Sequence, residues 1–208
     1  SNWNYANLVP TEKWRSAMTV PRELSLVKHN TNGNATSNTN INLNESSISK
    51  SKYSASQNDF LLVSHPVKEL DTRFSKILSK GNIVAEKEFT LMDAGKTMPN
   101  RIDLEILKAT DFDIVFSNAF NEKLIVGYDA VKKQFFIDRR NAGVSNFYEG
   151  FAAMATAPRF VADAKMDLSL LIDKTSVELF ADGGRTVMTA LFFSTHPFTN
   201  CNLQIGRA

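Results

Sequence analysis

The stretch LSLLIDKTSVELFADGGRTVMTALFF, Leu168 to Phe193, decides the fold. Leu168, Leu170 and Ile172 alternate with Ser169, and Val177 and Leu179 flank Glu178. A period of two residues puts one face of a strand in a core and the other toward solvent. Asp182-Gly183-Gly184 then separates this pattern from the apolar run Val187 to Phe193. Tight hairpins require positive φ, which Asp and Gly supply, so the stretch reads as antiparallel strands. Glu178 is therefore expected on a solvated face. On that reading Glu178→Ala costs about 0.5 kcal/mol or less, and Leu179→Ala about 2 to 5 kcal/mol.

Working outward, the same grammar recurs. Ile102, Leu104 and Ile106 alternate with Asp103 and Glu105, and further apolar runs lie at Ile83 to Leu91, Ile114 to Phe116, Leu124 to Tyr128, Gln134 to Ile137 and Asn202 to Ile205. Asn141-Ala142-Gly143 and Lys80-Gly81-Asn82 supply further turns. Val67 to Leu78 alone has helical spacing, following Pro66. Many short antiparallel strands with few helices predict an all-β, two-sheet antiparallel β-sandwich of jelly-roll or lectin-like kind.

Before the strands the chain changes character. Trp3 to Leu26 is aromatic and β-favouring, and Pro10 and Pro21 restrict it to short extended pieces. The tract from Asn30 to Asn58 is Asn, Ser and Thr with almost no large apolar residue, so it cannot bury enough surface to offset its ordering entropy. It reads as a loop or insertion. Its triplets Asn34-Ala35-Thr36 and Asn44-Glu45-Ser46 have the glycosylation pattern, which such a tract also generates by composition. The opening SNWNYAN reads as cut from something longer.

The 24 Lys and Arg are scattered among 22 Asp and Glu, which argues against nucleic acid as a partner. No apolar run approaches the roughly 18 residues of a membrane span. One cysteine, Cys201, cannot form an internal disulfide and reads as a small apolar residue of the last strand. No metal or cofactor motif is present. Asp103, Glu105, Asp173 and Glu178 fall on polar positions of strands, and Asp138-Arg139-Arg140 reads as an ion pair at a strand end. His29, His65 and His196 are far apart, no Ser stands in a G-x-S-x-G elbow, and no glycine-rich phosphate loop occurs. Trp14, Tyr128, Phe147, Tyr148 and Phe151 are sugar-stacking candidates by type only, because 15 Phe mostly mean core. Trp3 and Tyr5 stand apart by preceding any strand pattern.

The wording of the sequence is more specific than its periodicity. SNWNYANLVPTEKWRSAMTVPRELSL, Ser1 to Leu26, resembles the final propeller blade of glycoside hydrolase family 32, the invertases, levanases and inulinases. SVELFADGGRTVMTALFF, Ser176 to Phe193, is similar to the signature of that family's C-terminal sandwich, and Pro66 to Leu70 and Asp138 to Arg140 resemble the same module. The resemblance implies a remnant of the last blade over 1–27, an insertion over 28–59 and the sandwich over 60–208. It implies a parent that hydrolyses β-fructosidic bonds with retention, its carboxylates in N-D-P-N-G, R-D-P and E-C motifs. None of these stands here: Asn58-Asp59-Phe60 lacks the Pro and Gly, and Cys201 follows Asn200.

The expectation is thus a non-catalytic accessory module without cofactor, inactive alone and partnered by the catalytic propeller of the same polypeptide, from a secreted, periplasmic or cell-surface parent. Trp3, with Tyr5, is carried toward a carbohydrate site because S-N-W resembles a stretch at the rim of the family's fructose pocket. Two further readings are a lectin-like module binding fructan oligosaccharide and an oligomerisation surface.

Overall fold

The computed structural model describes residues 4–11, 18–29, 59–74, 88–92 and 100–206. Its strands are β1 (Arg22–His29), β2 (Asp59–Pro66), β3 (Glu88–Met92), β4 (Arg101–Ile106), β5 (Phe112–Ser117), β6 (Lys123–Asp129), β7 (Gln134–Asn141), β8 (Met154–Pro158), β9 (Met166–Ile172), β10 (Ser176–Ala181), β11 (Thr186–Leu191) and β12 (Asn200–Ile205). Two sheets form the sandwich, one in the order β3-β12-β5-β6-β7-β8 and one in the order β11-β10-β9-β4. Short turns make β5 to β7 one meander and β9 to β11 another, and a longer segment joins β7 to its antiparallel neighbour β8. Strand β12 then returns to the larger sheet and slots between β3 and β5.

The alternation explains the core. Phe112, Ile114, Phe116, Leu124, Val126 and Phe135 of the larger sheet meet Ile102, Leu168, Leu170, Val177, Leu179 and Ala190 of the smaller one. Each such Val, Leu, Ile or Phe side chain contributes about 1.5 to 3 kcal/mol on leaving water. Cys201 is buried among them, as expected, and burial pushes its thiol up to about 12. The sheets are also tied at the β10–β11 turn, where Asp182 at φ +50 receives a two-pronged contact from Arg159, 2.7 and 2.9 Å.

The structure departs from expectation in several places. The helical spacing after Pro66 gives a 3₁₀ helix over Lys68–Arg73, too short for an amphipathic face, and positions 75–78 lie outside the described residues. The run from Ile83 enters the described residues only at β3, and the Lys80 turn lies outside them. Strand β8 (MATAP) carries no alternation of large apolar residues, because it is an exposed edge paired with β7 alone.

Glu178 requires the main correction, for it is 5% exposed and not solvated. Its neighbours Val177 and Leu179 face the core, but the opposite face of β10 lies under β1. Arg22 Nη2 donates to Glu178 Oε2 at 2.5 Å and to Thr189 Oγ1 at 2.8 Å, and the Val20 amide donates to Glu178 Oε1 at 2.9 Å. The Arg22 guanidinium also sits 5.1 Å from the Phe180 ring. A period of two distinguishes faces without saying whether the second is covered. Asp103, Glu105 and Asp173 are exposed, as their positions implied.

The cover is a third sheet, β1 paired antiparallel with β2. The Ser64 amide donates to the Gly184 carbonyl at 3.0 Å. Gly184 has φ +71, and a Cβ there would lie 2.2 Å from the Ser64 carbonyl oxygen. Val63 is buried on one side of the pair, whereas Leu24, Leu26, Phe60 and Leu62 are 61%, 39%, 49% and 57% exposed. Leu26 stands opposite Leu62 and Lys28 opposite Phe60, so these four apolar side chains share one face.

Candidate functional site

Loops at one end of the sandwich converge on an open groove of about 440 Å³. The β5–β6 turn supplies Asn121 and Glu122, the end of β7 supplies Arg140 and Asn141, the segment after it supplies Gly143, Val144, Ser145 and Asn146, and the segment after β11 supplies Thr195.

The β5–β6 turn is held by buried polar groups. Asn118 Oδ1 accepts from the amides of Phe120, 2.9 Å, and Glu122, 3.3 Å, which lets Asn121 adopt φ +61. Asn118 Nδ2 donates to Glu122 Oε2 at 2.6 Å and to the His196 carbonyl at 3.0 Å. Glu122 Oε1 accepts from the Thr195 amide, 2.9 Å, and hydroxyl, 2.7 Å. Burial disfavours the Glu122 charge, but these donors from Thr195 and Asn118, with the His196 amide, outweigh it and hold the carboxyl below its ordinary value. The exposed product of this scaffold is Phe120, whose ring stacks on His196 at 3.6 Å and 8°.

On the facing wall Arg140 is clamped to Asp138 at 2.6 Å, which lowers the Asp138 carboxyl and bears out the ion pair expected at this strand end. Gly143 at φ +114 lets the loop run against the segment after β11, where a Cβ would lie 2.1 Å from the Phe193 carbonyl oxygen.

The same loop continues into an aromatic cluster. Phe151 is buried among Phe147, Tyr148 and Phe193, with the Arg139 guanidinium 3.9 Å from its ring. Tyr5 packs edge-on to Phe151 at 5.3 Å and to Phe147 at 6.2 Å, and Val9 is buried beside it. These contacts fasten residues 4–11 to the sandwich. Trp3, Trp14 and the side chain of His29 lie outside the described residues. Tyr128 belongs to the core, and His65 is exposed on β2.

Acidic strand residues are engaged in the framework. Asp103 accepts from Arg101 at 3.0 Å and from Ser169 at 2.7 Å, and Glu105 pairs with Lys165 at 3.1 Å. Among the described residues no three His, Cys, Asp or Glu side chains form a metal-binding group, and no helix is long and apolar enough to cross a membrane. Sequence reading did not find Asn118, Phe120 and Glu122. An Asn two residues before an exposed aromatic turn is legible in SNAFNE, but the burial of Glu122 by a segment 73 residues away is not.

With the geometry in hand, comparison with known proteins places the chain. The family model for the C-terminal domain of glycosyl hydrolases family 32 matches residues 25–205. An extracellular exo-inulinase of Aspergillus niger is 32% identical over 98% of this chain and 34% of its own length. A levanase of Bacillus subtilis is 30% identical over 91% of this chain and 25% of its own length. The crystal structure of exo-inulinase from Aspergillus awamori superposes with a TM-score of 0.67 at 27% identity, over 99% of this chain and 36% of that one. The chain thus spans about a third or less of these relatives' length. On the strength of the match over 25–205 and the sandwich that fulfils it, the chain belongs to the family of glycosyl hydrolase family 32 C-terminal domains.

Proposed function

We infer that the chain is the accessory C-terminal module of a secreted, fructan-cleaving glycoside hydrolase and does no chemistry itself. The observation that carries this is the family match over nearly the whole chain against only a third of each exo-inulinase. The family's carboxylate motifs are absent from these 208 residues. In this reading 1–27 ends the propeller, 28–59 is an insertion and 60–208 is the sandwich, with β2 reaching back to clasp β1. Trp3 and Tyr5 contact sugar at the rim of the parent's pocket, and the aromatic cluster around Tyr5 seats residues 4–11 beside it.

The partner is the rest of the catalytic propeller, docked on the apolar face of Leu24, Leu26, Phe60 and Leu62. Contiguous apolar faces of this kind mark interfaces. The test replaces Leu24 and Leu62 by Lys. In the 208-residue chain, where both are exposed, the unfolding temperature is expected to stay unchanged. In the full-length enzyme the same pair is expected to hasten thermal inactivation several-fold, since each buried apolar side chain lost from an interface weakens it. Inactivation at the unaltered rate would sink this docking.

A further inference from the structure

We propose that the groove between the β5–β6 turn and the segment after β7 is a binding site for a neutral oligosaccharide, with Phe120 as its stacking platform. This stands apart from the hydrolase reading and is tested separately.

The charges of the groove are already answered. Both Glu122 oxygens accept hydrogen bonds from Asn118, Thr195 and the His196 amide, and Arg140 is clamped by Asp138. A charged ligand meets there a carboxylate whose acceptors are taken and an exposed guanidinium already neutralised by Asp138. By contrast, the side chains of Asn121, Asn141, Ser145 and Asn146 make no hydrogen bond among the described residues, and all line the groove. Amides and hydroxyls both donate and accept, as sugar hydroxyls do, so the open valences match a polyhydroxylated ligand.

The aromatic element supplies the other half of sugar recognition, an apolar plane for ring C–H groups. Phe120 and His196 directly adjoin the lining residues Asn121 and Thr195 in the chain, so their stack borders the groove. Phe120 is 59% exposed although one face of its ring is covered by His196. Two buried polar residues, Asn118 and Glu122, hold the turn that presents it. A platform fixed before binding loses little freedom on meeting its ligand.

The experiment is a ¹H–¹⁵N NMR titration of the 208-residue chain with inulin-type and levan-type fructo-oligosaccharides, and with maltotriose as a second neutral sugar. Backbone signals of Asn121, Asn141, Ser145 and Asn146, and the side-chain amides of the three Asn, are expected to move together and saturate with one of these sugars in the millimolar range. Phe120→Ala is expected to weaken binding roughly tenfold without shifting the unfolding temperature. Asn146→Ala, also exposed, is expected to weaken it less. Absence of shifts up to about 50 mM sugar, shifts that map elsewhere, or a Phe120→Ala titration equal to wild type each overturns the proposal. Faster inactivation of the Lys variants of the enzyme would still support the docking in that case.

Discussion

Arg22 and Glu178, 156 residues apart, meet at 2.5 Å between β1 and β10 and close the outer face of the smaller sheet. The carboxylate is nearly fully buried and the guanidinium keeps partial contact with water, with side-chain exposures of 6% and 23%. Removing one partner leaves the other charge poorly compensated, and this is costlier than removing both.

Glu178→Ala is therefore expected to destabilise the fold by about 2 kcal/mol or more, a loss comparable with the 2 to 5 kcal/mol, roughly, for Leu179→Ala. Urea unfolding of Arg22→Ala, Glu178→Ala and the double variant measures it. The double variant should be less destabilised than the two single losses added together. Additive losses would show that the pair does not couple.

Acid should loosen the β5–β6 turn. A carboxyl whose folded value lies below its unfolded one stabilises the fold in full above the unfolded value, and loses that contribution as pH falls through the folded value. Glu122 is such a group, with an ordinary value of 4.5. Wild-type urea midpoints should hold from about pH 7 to about pH 5 and then fall more steeply than those of Glu122→Gln. Parallel curves would contradict the assignment.

Gly184→Ala should cost about 3 kcal/mol or more, because left-handed backbone strain adds to a Cβ placed against the Ser64 carbonyl. Gly150→Ala, where the nearest contact is the Tyr148 ring at 3.2 Å, should change stability by less than about 1 kcal/mol. Thermal unfolding of the two variants separates them.

What was legible in the sequence follows from what each signal encodes. Alternation at Leu168 to Ile172 and the Asp182-Gly183-Gly184 turn gave strands and a hairpin because they are local. The cover over Glu178 was not legible, since it depends on β1 arriving from the far end of the chain. Nor was the groove, whose walls come from three separate loops. The N-terminal wording named the family where periodicity could not, yet Tyr5 was read as a sugar contact without the ring cluster that seats it. Edge strand β8 escaped notice because exposed small residues carry no pattern.

The most direct test of the accessory role is fructose release from inulin, levan and sucrose by three samples: this chain, the catalytic part of its parent enzyme, and the two together after heating. The account predicts no release by the chain alone and longer survival of the catalytic part when the chain is present. Turnover by the pure chain, or survival unchanged by its presence, would contradict it.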